Sequence, residues 1–162
     1  MNSIEGFINR ELTNSDKDIA LSFVKFLREN EMNFVKDTDF WKDKIYYLVK
    51  FHDKCACFIS INDPDETENH WTVWSDDMDS DFLDTVCIEE RLKELAWKHT
   101  DNCDLCGSCG GGRRKSIFGK IFDNVCVCTF RIDNPNYDDL EFLKKIIEIR
   151  KAEIIKSERS VR

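Results

Sequence analysis

The sequence is poor in proline and, outside one stretch, poor in glycine. Its two prolines, Pro64 and Pro135, stand far apart, and five of its six glycines fall between residues 107 and 119. That composition excludes a polyproline or collagen-like rod and provides no flexible linker along which the chain would divide. No internal repeat is visible. No run approaches about 18 apolar residues, so no membrane-spanning helix is expected. The opening MNSIEGFINREL lacks a basic segment followed by an apolar one, and is read as carrying no signal peptide. Positive charge is also in deficit: 24 Lys and Arg stand against 32 Asp and Glu, a net charge of −8. A surface of that sign repels nucleic acid and anionic membranes as a whole. The deficit is sharpest over residues 63–84, which hold nine acidic side chains and no Lys or Arg.

What is present is a core. Hydrophobic residues make up 41% of 162 residues, with twelve Phe and four Trp, enough for one domain, 1–162, to fold without staples. With no export signal read, the expected location is the cytoplasm. There the eight cysteines are thiols or metal ligands rather than disulfides.

Residues 3–11 read as a short helix or arm. Ile19, Phe23, Phe26 and Leu27 recur at helical spacing, which predicts a helix over 16–30, with Ser15 and Asp18 as a capping pair. The runs IYYLVKF (45–51) and CACFISI (55–61), separated by a turn at HDK, predict an antiparallel hairpin. HWTVWS (70–75) and NVCVCTFRI (124–132) predict two further strands. Helices are predicted over 81–98, capped by Ser80, and over 137–157 after the break at Asn134-Pro135. Strands and helices do not alternate as a parallel sheet requires. The expected architecture is α+β: an antiparallel sheet of about four strands with helices on one face.

The stretch CDLCGSCGGGRRKSIFGK (103–120) carries the chemistry. Cys103, Cys106 and Cys109 form C-x2-C-x2-C, in a knuckle inserted over 99–128. A two-residue spacing lets two sulfurs reach one ion, and the adjoining glycines permit the tight bends this needs. Zinc takes four ligands. Cys126, on the next strand, is the expected fourth, with Cys128 as the alternative and His99 or Asp101 as weaker ones. An iron–sulfur cluster is a rival, but the ferredoxin run continues C-x3-C-P, which is missing here. Thiol redox chemistry is another, but reactive C-x-x-C pairs open a helix after a strand, whereas this one follows a helix. With four thiolates the zinc site is closed, so a structural metal is expected rather than a hydrolytic one, and a binding or regulatory protein rather than an enzyme.

Other motifs are weaker. Arg113, Arg114, Lys115 and Lys120 among glycines would present a local positive patch to a small anionic ligand, a phosphate or a protein partner, and nucleic acid at Arg113, Arg114 and Lys115 is a further alternative that the net charge disfavours; a solvated basic turn is the plainer reading. The spacing to Gly119-Lys120 does not fit a phosphate loop. DDMDSDFLD begins like a calcium loop but has Phe82 where glycine is needed and Ile88 where Glu is needed. Cys55, Cys57 and Cys87 read as small hydrophobes. Trp41, Trp71, Trp74, Trp97, Tyr46 and Tyr47 read as core, or as the lining of a small-molecule pocket. The three histidines are scattered, and no Ser/His/Asp set is specified. Nothing in the residues sets an oligomeric state.

The run CDLCGSC…KSIFGKIFDNVC followed by RIDNPNYDDLEFLKKIIEIRK resembles the C-terminal part of a family of bacterial cysteine-knuckle proteins of anaerobic Gram-positive type. That family is distantly similar to the YdhG-like, frataxin-related small α+β proteins. The resemblance covers 40–157 loosely and 95–150 best. It implies an α+β fold and a role in handling a small ligand or a metal.

Overall fold

The computed structural model describes residues 3–39, 41, 43–106 and 110–161. Along the chain come α1 (Ile4–Glu11), α2 (Asn14–Glu29), β1 (Asn33–Lys36), β2 (Ile45–Phe51), β3 (Lys54–Ile61) and β4 (Trp71–Ser75). Then follow α3 (Ser80–Thr85), α4 (Glu90–Lys98), β5 (Thr100–Asn102), β6 (Arg113–Ile117), β7 (Lys120–Asp133) and α5 (Tyr137–Ser160). The strands make one open antiparallel sheet in the order β1-β2-β3-β4-β7-β5, with β6 also paired to β7. The α+β class is as the sequence predicts, but the sheet has seven strands rather than about four. The additional strands, NFVK, TDN and RRKSI, are short and carry little apolar alternation, so only their partners make them strands.

The β2–β4 part of the sheet is regular. Phe51 pairs with Lys54, and His52 and Asp53 between them have φ of 48° and 64°, the signature of a type I′ turn. Tyr47, Ile59, Val73 and Ile132 lie opposite one another in register and are all buried, as are Ile61 and Trp71 two residues along the same face. The helices cover that face. Phe7 of α1 packs on Tyr47 at 6.3 Å, Phe23 of α2 on Trp71 at 6.5 Å, and Phe142 of α5 on Phe130 at 5.4 Å. Burying Phe23 and Phe142 fully stabilises the fold by roughly 1.5–3 kcal/mol each.

The single helix predicted over 81–98 is broken at 86–89. Thr85 Oγ1 donates to the Phe82 carbonyl at 2.7 Å, and Val86 turns to an extended conformation. The break lets the two pieces serve different partners. Asp84 of α3 accepts from the Gly119 N–H at 3.0 Å, while Arg91 of α4 pairs with Glu141 of α5 at 2.7 Å. The α2 cap falls on Thr13 rather than Ser15. At α5 the Asn136 side chain accepts from the Asp139 N–H, and Asp139 accepts from the Asn136 N–H, a complete capping box. No described helix is long and apolar enough to cross a membrane.

The β5–β6–β7 part is irregular. Ile117 pairs with Lys120 through Phe118 (φ 47°) and Gly119 (φ 86°), a second type I′ turn in which glycine takes the left-handed position at no steric cost. On β5, Thr100 pairs with Phe130 and Asn102 with Val125. Between these pairs β5 advances two residues while β7 advances five. Residues 126–129 are thus pushed out of register as a wide bulge. Thr129, within it, has φ of 71°.

Candidate metal centre

Val125 anchors the cysteine loop. Asn102, just before the loop, and Arg113, just after it, both pair with Val125 of β7. The excursion 103–112 therefore leaves and returns beside one residue. A clasp reinforces this closure. The Cys103 N–H donates to the Asn124 carbonyl at 2.8 Å, and Asn124 Nδ2 donates to the Cys103 carbonyl at 3.1 Å. Gly112 packs so closely that a β-carbon there would lie 2.0 Å from Asn124 Oδ1 and 2.7 Å from Cys103 Cβ. Only glycine fits. Between Cys103 and Cys106, Leu105 has φ of 60°, a left-handed residue that bends the chain back within C-x2-C.

The sequence-predicted ligands fall as follows. Cys103 is half-buried in the clasp, and Cys106 is exposed. Cys109 lies outside the described residues. Cys126 is half-buried on β7, two residues beyond Asn124, so alternation sets it on the side to which the Asn124 side chain reaches for the loop. Its thiol lies beside the Asp101 carboxyl and the Cys128 thiol. Among the described residues no three His, Cys, Asp or Glu side chains converge as a metal-binding group, so Cys103, Cys106 and Cys126 are not gathered into one here.

The environment sets the chemistry of each group. Burial, with Cys126 and Asp76 beside it, pushes the Cys128 thiol up to about 12. Burial likewise raises the Asp101 carboxyl, against the pull of Arg131 and of the Cys126 thiol. Asp101 also borders a shallow polar cleft of about 340 Å³ with His99, Arg131 and Asp133. His99, a weaker candidate ligand from sequence, is engaged elsewhere: its Nε2 meets Asp139 Oδ1 at 2.7 Å, and both side chains are nearly buried. Cys55 and Cys57 are held protonated by burial, Cys55 up to about 12, which fits small hydrophobes rather than nucleophiles.

The basic run is less uniform than its sequence. Arg113 and Arg114 are exposed and pair loosely with Asp77 at 3.7 Å and Asp123 at 3.8 Å. Lys120 Nζ lies 5.3 Å from the Trp97 ring centre. Lys115 departs from the expectation altogether. Only 6% exposed, it turns its ammonium into the protein, where no anionic ligand from solvent meets it.

The aromatics divide between two places. Trp71 and Tyr47 are core. Trp41, Tyr46, Phe58 and Trp74 cluster on the opposite face of the sheet, with ring centres about 6 Å apart, and burial there pushes the Tyr46 phenol up. Periodicity misses Ser75 and Asn124, polar residues that brace β7 (below) and close the loop. Ser75 leaves the signal of a polar residue ending a strand, and Asn124, inside β7, leaves none. Comparison with known proteins finds no matching family model, no matching curated protein and no matching solved structure.

Proposed function

We propose that this chain is a zinc-binding protein whose cysteine knuckle is a structural, non-catalytic centre. Cys103, Cys106 and Cys109 supply three thiolates and Cys126 the fourth. The carrying observation is the closure at Val125: both ends of the C-x2-C-x2-C loop are pinned beside one residue, and the next residue is Cys126. That arrangement tethers Asn102 and Arg113, which flank the loop, beside the residue preceding Cys126. Zinc supplies the free energy for gathering the thiolates there, since metal binding and local folding are one event. Cys126 is preferred to Cys128 because it is nearer the Asn124 clasp. The family resemblance over 95–150 implies a role in handling a small ligand or a metal.

The test is the metal content of protein purified without added metal, alongside Cys106→Ser. One zinc per chain in a colourless protein is expected. Cys106→Ser should lose the metal and melt at a lower temperature. A metal-free native preparation, or a mutant that keeps both metal and melting temperature, overturns the reading. A brown protein absorbing in the visible region replaces zinc with an iron–sulfur cluster.

A further inference from the structure

We propose that Lys115 is a positioning residue for the zinc centre: it holds Thr129 in a left-handed conformation, and that single residue decides which face of β7 carries Cys126. The inference rests on the zinc reading above and goes beyond it by assigning a role to a buried cation outside the ligand set.

Phe130 and Ile132 both face the helices and are fully buried. In an unbroken strand, Cys128, Cys126 and Asn124 would share that inward face, and Val125 would point the other way. The structure has the reverse. Val125 is 1% exposed, Asn124 is exposed and reaches for the loop, and Cys126, Val127 and Cys128 are all half-buried, so Val125 and Asn124 mark the two faces. The switch lies between Thr129 and Phe130, two consecutive residues that are both fully buried. Thr129, with φ of 71°, makes it.

A β-branched residue does not hold that conformation unaided. It persists only where its surroundings fix it. Here they do so from two sides. The Lys115 ammonium donates to Thr129 Oγ1 at 2.7 Å, to the Met78 carbonyl at 3.2 Å and to Asp77 Oδ1 at 3.3 Å, so its three donors meet three acceptors. Ser75 Oγ donates to the Cys128 carbonyl and accepts from the Phe130 N–H at 3.0 Å, holding the residues on either side. A buried lysine is rare unless paired, and this one ties β6, the approach to α3 and the bulge together at one point.

Remove the ammonium and Thr129 is free to return to extended backbone. The parity of residues 124–128 then reverts, and Cys126 turns away from the knuckle. Glycine at 129 adopts positive φ without a brace. This gives a test in which one substitution repairs another. Lys115→Met should weaken zinc binding, measured by competition with a chromogenic chelator, by roughly 10–100-fold, the usual range for groups that orient ligands. Thr129→Gly alone should stay within about threefold of the natural protein. Lys115→Met/Thr129→Gly should return to within about fivefold. Cobalt loaded in place of zinc adds a readout that stability alone does not move. The sulfur-to-cobalt charge-transfer band should weaken in Lys115→Met, as one thiolate leaves, and recover in the double variant.

Equal zinc affinity in Lys115→Met and the natural protein overturns the assignment. So does a double variant that binds no better than Lys115→Met. If Lys115→Met fails to fold, recovery of fold and metal by adding Thr129→Gly supports the brace, and no recovery overturns it. Failure of the zinc reading itself is distinguishable, because it shows in the natural protein, with no substitution made.

Discussion

The two halves of the sheet are built by different means. In the β2–β3–β4 half the strands stay nearly in register, with one shift beside Val49, and the inward side chains are apolar and fully buried. In the β5–β6–β7 half the register jumps twice, and the chain is held by particular polar groups: Lys115 on Thr129, Ser75 on Cys128 and Phe130, Asn124 on Cys103, and His99 on Asp139. Burial is non-directional. It fixes which face is inside but not the position of any one atom. Hydrogen bonds have direction, and they are what can aim a thiol. The first half is thus held chiefly by burial, and the second adds to its own buried side chains a set of bonds that fix individual groups.

The comparison predicts effects of different size and reach. Phe23→Ala, in the apolar half, removes a fully buried ring packed on Trp71 and should cost about 3–5 kcal/mol by urea unfolding. The loss should be global, lowering amide protection throughout the core. A change under about 1 kcal/mol would place Phe23 outside the cooperative core and erase the contrast.

Asp139→Asn comes next, with a loss of roughly 1.5–3 kcal/mol at neutral pH. Its size should depend on pH. Burial works against the charged carboxylate, but the hydrogen bonds from His99 Nε2 and from the Asn136 N–H prevail and hold the group below its ordinary value of 3.8. The folded chain therefore gives up this proton more readily than the unfolded chain. The resulting stability is complete above the ordinary carboxylate range and is lost as pH falls through it towards the folded value. Urea unfolding at pH 7 and near pH 3 should show the gap between the two proteins narrowing in acid. A gap of constant size would mean that Asp139 acts by shape rather than by charge.

The same division governs what the sequence makes legible. The hairpin 45–61 is legible because its β-branched and aromatic runs flank a two-residue turn, and α5 because Leu143, Ile147 and Ile154 recur on one face after Pro135. Strands β1, β5 and β6 are not: NFVK and TDN bury no side chain fully, RRKSI buries only Lys115 and Ile117, and all three become strands by pairing with their neighbours. Lys115 reads, with its neighbours, as surface charge. Local composition carries no mark of an ammonium that finds Asp77 and Thr129 in the fold. The C-x2-C-x2-C spacing is plain, but its closure at Val125 is hidden in long-range register. One further signal lies in the residues themselves. In VCVCTFRI the apolar positions run Val125 and Val127, then Phe130 and Ile132, and that change of phase at Thr129-Phe130 is the mark a bulge leaves in a strand pattern.

The smallest effect on stability should be the most informative about the irregular half. A β-carbon at Gly112 would lie 2.0 Å from Asn124 Oδ1, far inside contact distance, so Gly112→Ala must displace either the Asn124 side chain or the loop. The side chain is not free to give way at no cost, because Asn124 Nδ2 is committed to the Cys103 carbonyl. Since the clasp is peripheral to the core, the global loss should be only about 1 kcal/mol. Locally the change should be large. The Cys103 N–H, which donates to the Asn124 carbonyl, should lose its protection from hydrogen exchange, and the Cys103 thiol should react faster with an alkylating reagent. The core amides of Ile59 and Val73 should not change. If Cys103 stays protected, the clasp is not what closes the loop. If the core amides lose protection as well, the two halves share one cooperative unit, and the distinction between burial that stabilises and hydrogen bonds that aim does not hold for this fold.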